Sequence, residues 1–291
     1  MYWNTHTYCS LRYGTLSPEK LVETAKAHNI QALGLTDINT SMGVIDFVKL
    51  CRENHIKPIA GIEFRDRDRL LYIGVAMNNE GFRELNEFLT EHTLNKTPLP
   101  DRPKNFNNVY VVYPYGSIGA DTLKEHEFIG VGPGNVRRLL TSKYRYNQNK
   151  LLVHQPVSFF WKDGFFLHQN LRAIDHNIVI SKLRPENTGA HDEYMKPMDE
   201  LMEVFADYPT IIETTERLID SFSIDFDYQS LKKKQTFTGS VYDDRILLEK
   251  LSLDALEYRY GNSNKEAERR VRQELDFISR MGFAAYFLIT W

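Results

Sequence analysis

Only two cysteines occur in the 291 residues, Cys9 and Cys51, and they share no paired spacing. They support neither a disulfide framework nor a cysteine-ligated zinc site, and they fit a reducing compartment. No apolar run is long enough to cross a bilayer. Residues 1–30 lack the basic, apolar, small-residue order of an export signal, so a cytoplasmic location without a membrane partner is expected. Charge of one sign is not in excess either. The net charge of −3 exerts no bulk pull on nucleic acid, so any DNA contact has to come from a local patch or a neighbouring domain. There is no internal repeat and no low-complexity tract. A phosphate loop is also missing. Gly130-Val131-Gly132-Pro133-Gly134 is glycine-rich, yet it lacks a following Lys-Ser/Thr pair and Pro133 removes a backbone donor. No nucleophilic triad can be assembled.

What remains is the composition of a globular chain, with 42% hydrophobic and 26% charged residues, enough to bury a core. The length is large for one domain but suits an α/β barrel. Over the first 115 residues short apolar runs alternate with amphipathic stretches. Strands are expected at Met1–His6, Gln31–Thr36, Lys57–Phe64 and Arg69–Met77. Helices are expected from Ser17-Pro18 to about Asn29, over Ser41–His55 and over Asn79–Leu94. This alternation argues for a parallel sheet or barrel. A proline-rich loop at 95–107 precedes strands at Val109–Tyr113, Phe128–Val131 and Leu151–His154, with a helix near Val136–Ser142. From about Phe165 the pattern is helical: Phe166–Asn177, Asp199–Tyr208, Thr210–Asp220, Asp243–Tyr260 and Lys265–Met281. The chain stops in the apolar run Ala285–Trp291, which is unlike a frayed natural end and suggests a piece of a longer protein.

In a βα barrel, functional groups gather at the carboxyl ends of the strands, and His6, Asp37 and Glu63 each fall at or near one. Each also has a plainer reading. His6 is either a ligand or a hydrogen-bonded structural group. Asp37 either joins a site or caps and braces the next helix. Glu63, in an otherwise apolar strand, calls for a buried partner. His154 ends a strand and either points into the same pocket or away from it. His168, His176 and His191 are expected to be solvated or capping. His126, between Glu125 and Glu127, is expected on a solvated turn. The run Lys232-Lys233-Lys234 is either a solvated linker or a contact to a phosphate backbone. The mixed charges of Lys265–Arg280 read as a salt-bridged exposed face.

Four segments stand in a telling order: Asn4-Thr5-His6-Thr7, Ser10-Leu11-Arg12-Tyr13-Gly14, Gly34-Leu35-Thr36-Asp37-Ile38 and Pro58-Ile59-Ala60-Gly61-Ile62-Glu63-Phe64. In order and spacing they resemble the start of the PHP (polymerase and histidinol phosphatase) domain of bacterial DNA polymerase III alpha subunits. Leu171-Arg172-Ala173-Ile174-Asp175, Tyr258–Gly261 and Glu274–Phe283 look like the same family, the last resembling the entry into the polymerase palm. The resemblance implies an α/β fold, a distorted PHP-type (βα)7 barrel over residues 1–230. A mostly helical segment, 231–291, would then form the connection to the palm and its first piece.

Active members of the family hold two or three metal ions in a cluster of His, Asp and Glu residues. Here the first His of the opening His-x-His-Thr pair is Asn4, the acidic residue before Gly14 is Tyr13, and the His after Asp37 is Ile38. The late Asp-x-His pair falls at Pro156 and Ser158. His6 and Glu63 remain as the surviving ligand positions, with Asp37 and His154 as further candidates, and two ligands hold a metal cluster poorly.

The resemblance therefore implies a structural and partner-binding domain of a DNA-directed DNA polymerase used in replication. No catalytic residue and no cofactor are expected in this segment, and the carboxylates that hold the catalytic magnesium belong to the palm. The implied partners are the palm and thumb of the same polymerase, DNA through the whole protein, and a proofreading exonuclease subunit. The alternative is a metal-dependent phosphoesterase acting as a 3′–5′ exonuclease, with zinc or manganese held by His6, Asp37, Glu63 and His154.

Overall fold

A computed structural model describes residues 1–161, 163–230, 236–261 and 264–291, and these fall into two compact units, Met1–Phe226 and Asp227–Trp291. In the first unit six strands form one curled sheet in sequence order. They are β1 (Ala32–Leu35), β2 (Lys57–Asp66), β3 (Arg69–Ala76), β4 (Val109–Pro114), β5 (Glu127–Val131) and β6 (Leu151–Val153). The expected parallel sheet or barrel is corrected to a mixed sheet. β1 and β2 pair in parallel, as do β4, β5 and β6, but β3 is antiparallel to both neighbours. Its reversal comes from the tight turn at Arg67-Asp68, where Arg67 takes a positive φ of 54° and no helix separates β2 from β3. The register of this hairpin slips by one residue at Phe64/Arg65, where Leu71 of β3 is the extra residue of a bulge.

The helices of this unit are α1 (Pro18–Ala27), α2 (Val44–Glu53), α3 (Asn79–Leu94), α4 (Val136–Leu139), α5 (Gly164–His176), α6 (Met198–Val204) and α7 (Pro209–Ser221), of which α2, α3 and α7 pack on the strands. Their starts follow local chemistry. Ser17 caps α1 by accepting from Lys20 N, with Pro18 at the first helical position, and Asn78 caps α3 by accepting from Gly81 N. The inward stripe of α2, Val44, Phe47, Val48 and Cys51, is wholly buried against the sheet.

The expected strand at Met1–His6 forms only isolated bridges, at Tyr2 to Leu33 and Thr5 to Val157. The reason is a split allegiance. Tyr2 O and Thr5 O accept from Gly34 N and Thr36 N on one side, while His6 N donates to Val157 O and Asn4 O accepts from Val157 N on the other. No neighbour receives two successive rungs. The segment thus spans the gap between β1 and the chain that follows β6, and Trp3 Nε1 adds a bond to Val153 O. Trp3 and Gly34 approach so closely that a Cβ at Gly34 would lie 2.2 Å from Trp3 O.

The second unit holds α8 (Val241–Tyr260), α9 (Lys265–Arg280) and α10 (Ala284–Thr290) around a small core of Leu248, Leu275, Ala284 and Leu288. The last of these helices was not expected from the sequence. Along α9 the pairs Arg270–Glu274, Arg272–Glu268 and Arg280–Asp276 form the expected charged face at i,i+4 spacing.

Gly34→Ala should force Trp3 backbone out of place and lower unfolding free energy by about 1–3 kcal/mol in urea titration. Gly134→Ala, where an added Cβ meets nothing within 4 Å, should leave the midpoint unchanged.

Candidate functional site

Asn4 and His6 lie two apart in an extended segment, so both side chains project to the same side, and Glu63 and Arg65 share that relation at the end of β2. The two pairs meet in the interior. Glu63 is buried, and every hydrogen bond to its carboxylate comes from nitrogen. Oε2 lies 2.9 Å from Asn4 Nδ2 and 3.0 Å from His6 Nε2, and Oε1 lies 2.5 Å from Arg65 Nε. Desolvation alone would raise the Glu63 carboxyl. The Arg65 guanidinium, His6 and the Asn4 amide overcome it and hold the group well below the usual carboxylate range.

The contacts close into a ring of six side chains. His6 Nδ1 lies 3.0 Å from Ser158 Oγ, and Ser158 Oγ donates to Glu193 Oε2 at 2.6 Å. Tyr13 OH donates to the same Glu193 oxygen at 3.4 Å and accepts from Arg65 Nη2 at 3.1 Å, and Arg65 returns to Glu63. Arg65 also stacks on the Tyr13 ring, 4.3 Å from its centroid. Burial, then the Glu193 charge, pushes the Tyr13 phenol far up, so it serves as a neutral hydrogen-bonding group. Glu193 Oε1 accepts from Ala190 N. Both carboxylates of the ring are thereby engaged at both oxygens.

The candidates from the sequence divide. His6 and Glu63 come together, at 3.0 Å. His154 reaches Asn4 rather than Glu63: its Nε2 lies 2.9 Å from Asn4 Oδ1, and its ring stacks on Trp3 at 5.2 Å. The Asn4 amide thus bridges His154, Thr36 and Glu63. Asp37 is set apart from this ring. It accepts from Thr7 N, Thr7 Oγ1 and Ser10 Oγ at 2.6–2.7 Å, so it braces the loop at residues 7–10 rather than capping a helix. Among the described residues no group of three or more His, Cys, Asp and Glu is placed to hold a metal ion. Lys232, Lys233 and Lys234 lie outside the described residues.

His168 is corrected from a solvated group to a buried one. Its Nδ1 lies 2.7 Å from Tyr13 O and its Nε2 accepts from Gly189 N, which assigns the proton to Nδ1. His126 is half-buried against Tyr110, and Glu127 beside it is buried with Arg102, so that turn is less solvated than expected. Sequence reasoning missed Arg65 and Glu193. The Glu-x-Arg spacing at 63 and 65 was a usable signal for the first. Glu193 sits in an irregular stretch between Asp192 and Tyr194 and carried none.

On its outer side the ring faces a cavity of about 460 Å³, to which Tyr13 and Arg65 contribute directly. Beyond them a second cluster fixes the mouth. Arg172 is buried and binds Asp68, Asp175, Asn187 O and Arg12 O, tying α5 to the β2–β3 turn and to the loop at residue 12.

Desolvation lowers both His154 and His168 from 6.5 to about 4. Between those values the unfolded chain binds protons that the folded chain refuses. This contribution to stability is present above about pH 6.5 and falls as the pH drops toward 4. Urea midpoints measured across that window should decline, and His168→Gln should flatten the decline.

Comparison with known proteins matches residues 3–172 to the PHP domain family. The DNA polymerase III subunit alpha of Halalkalibacterium halodurans is 26% identical over 93% of this chain and 27% of its own length. The error-prone DNA polymerase of Symbiobacterium thermophilum is 22% identical over 99% of the chain and 31% of its own length. The DNA polymerase III subunit alpha of Haemophilus influenzae is 23% identical over 98% and 29%. The chain therefore spans roughly 27–31% of the length of these relatives. With more than half of its residues matched, the chain belongs to the PHP domain family.

Proposed function

We propose that this chain serves as the PHP region of a replicative DNA polymerase of the polymerase III alpha type, as a structural and partner-binding element rather than a hydrolase. The observation that carries this reading is the closed ring Glu63–His6–Ser158–Glu193–Tyr13–Arg65. A metal cluster needs several carboxylate and imidazole lone pairs turned toward one point. Here the lone pairs of Glu63 are spent on nitrogen donors, and Arg65 brings a fixed cation to the carboxylate. The residues present do not fit a multinuclear centre. Three positions where the family resemblance leads one to expect ligands are now members or supports of the ring: Asn4 donates to Glu63, Ser158 bridges His6 to Glu193, and Tyr13 joins Glu193 to Arg65.

The fold in this reading is a PHP-type (βα)7 barrel, with residues 2–7 acting as its seventh strand. The helical unit from Asp227 onward would be the connection to the palm. Similarity to DNA polymerase III alpha subunits along nearly the whole chain supports that placement. The partners proposed are the palm and thumb, DNA through the complete polymerase, and a proofreading exonuclease subunit. Magnesium would belong to the palm.

The chain equilibrated with zinc or manganese and then dialysed should retain less than one ion per molecule by atomic absorption, and should release no nucleotide from a DNA 3′ end. Stoichiometric metal together with nuclease activity, both lost in Glu63→Gln, would overturn the proposal in favour of the phosphoesterase. Arg65→Met should leave Glu63 without its cation and cost about 3–5 kcal/mol in urea unfolding, the scale for breaking a buried ion pair from one side.

A further inference from the structure

Helix α5 carries a pattern that the ring does not use. Leu167, Leu171 and Ile174 stand at i, i+4 and i+7. At 3.6 residues per turn they form one stripe, with the spacing of a helix that seats against another helix. The other side of α5 is already taken. Its buried residues are His168, Arg172 and Ala173, and the first two bind Tyr13 O, Asn187 O and Asp68. Those bonds fix the rotation of the helix and turn the stripe outward. Leu167 is 51% and Ile174 63% exposed, and Leu171 is half-buried. None of the three packs on the hydrophobic core of this unit. A helix at a protein surface ordinarily turns charge to solvent, whereas α5 turns leucine and isoleucine.

Charge is confined to the ends of the stripe. From Gly164 to Leu171 the one titratable side chain is the buried His168. Arg172, Asp175 and His176 are engaged with one another or with Asp68. Two charges differ. Asp163 precedes α5, and Lys182 lies in the turn Ile180–Lys182, which packs on the helix. Both are exposed, and neither side chain bonds to another described residue. A carboxylate thus stands at the start of the stripe and an ammonium beyond its end. Such a layout is complementary to itself turned end for end. A two-fold axis across the stripe would stack apolar on apolar, bring each Asp163 toward the partner's Lys182 and set the two helix dipoles antiparallel.

We propose that two copies of this chain pair through α5 in antiparallel fashion. Leu167, Leu171 and Ile174 form the centre of the interface, and Asp163 faces the partner's Lys182 at each end. One helix face is a small interface, so the dimer is micromolar rather than nanomolar. The pairing is independent of whether the chain serves a polymerase.

Sedimentation equilibrium of the whole chain over a range of concentrations tests this, and a monomer–dimer equilibrium should appear. Ile174→Lys sets two unpaired ammonium groups in the apolar centre. It should weaken dimerisation by about a hundredfold and leave the thermal midpoint of the monomer unchanged. The end charges test the register. Asp163→Lys alone and Lys182→Asp alone should each weaken the dimer by about tenfold, because like charges then meet at both ends. An equal mixture of these two variants should restore it, since every end contact is again between opposite charges. A chain that stays monomeric at millimolar concentration, a dimer indifferent to Ile174→Lys, or charge variants that mixing does not restore would overturn the proposal.

Discussion

A carboxylate buried at the end of β2 governs the interior of this protein. Glu63 cannot stay ionised in an apolar interior without compensation, and the cost of leaving it bare is several kcal/mol. Compensation comes from three directions: the Asn4 amide and His6 from the amino-terminal segment, and Arg65 from its own strand. Since the first two reside on the segment that spans β1 and the chain after β6, satisfying Glu63 also fixes where that segment lies. Electrostatics and topology are thus one constraint.

From Glu63 the constraint spreads outward. His6 leads to Ser158 and Glu193, which draw in the irregular stretch before α6, and Arg65 leads to Tyr13 and the loop at residues 10–14. Tyr13 O in turn meets buried His168 on α5. A chain of hydrogen bonds therefore links the sheet, two loops and a helix. The same arrangement that satisfies the buried carboxylate also places Arg65 in the wall of the cavity.

Much of the fold was readable from local pattern. The α2 stripe of Val44, Phe47, Val48 and Cys51, the Ser17-Pro18 start of α1 and the apolar runs of β2 and β3 were visible as periodicity and capping chemistry. The direction of β3 was not, because an apolar run has the same composition whichever way it pairs. Met1–His6 read as a strand for its apolar start, yet its rungs alternate between two neighbours and no ladder forms. α10 was invisible as a helix, since seven mostly apolar residues carry too short a period to distinguish helix from strand.

For the site, the sequence by itself determined the inventory: Asn4, Tyr13, Ile38 and Ser158 where the family resemblance calls for metal ligands, with His6 and Glu63 kept. Side-chain chemistry fixes what each residue can donate or accept, and that is a property of composition and spacing. Only the tertiary structure decided which donors meet which acceptors. Glu193 lies 130 residues from Glu63 in sequence and joins the same ring through Ser158. Asp37 lies 26 positions from Glu63 and serves the loop at residues 7–10 instead. The reason is geometric: hydrogen bonds act over about 3 Å, and only the folding of distant segments against one sheet brings atoms to that range.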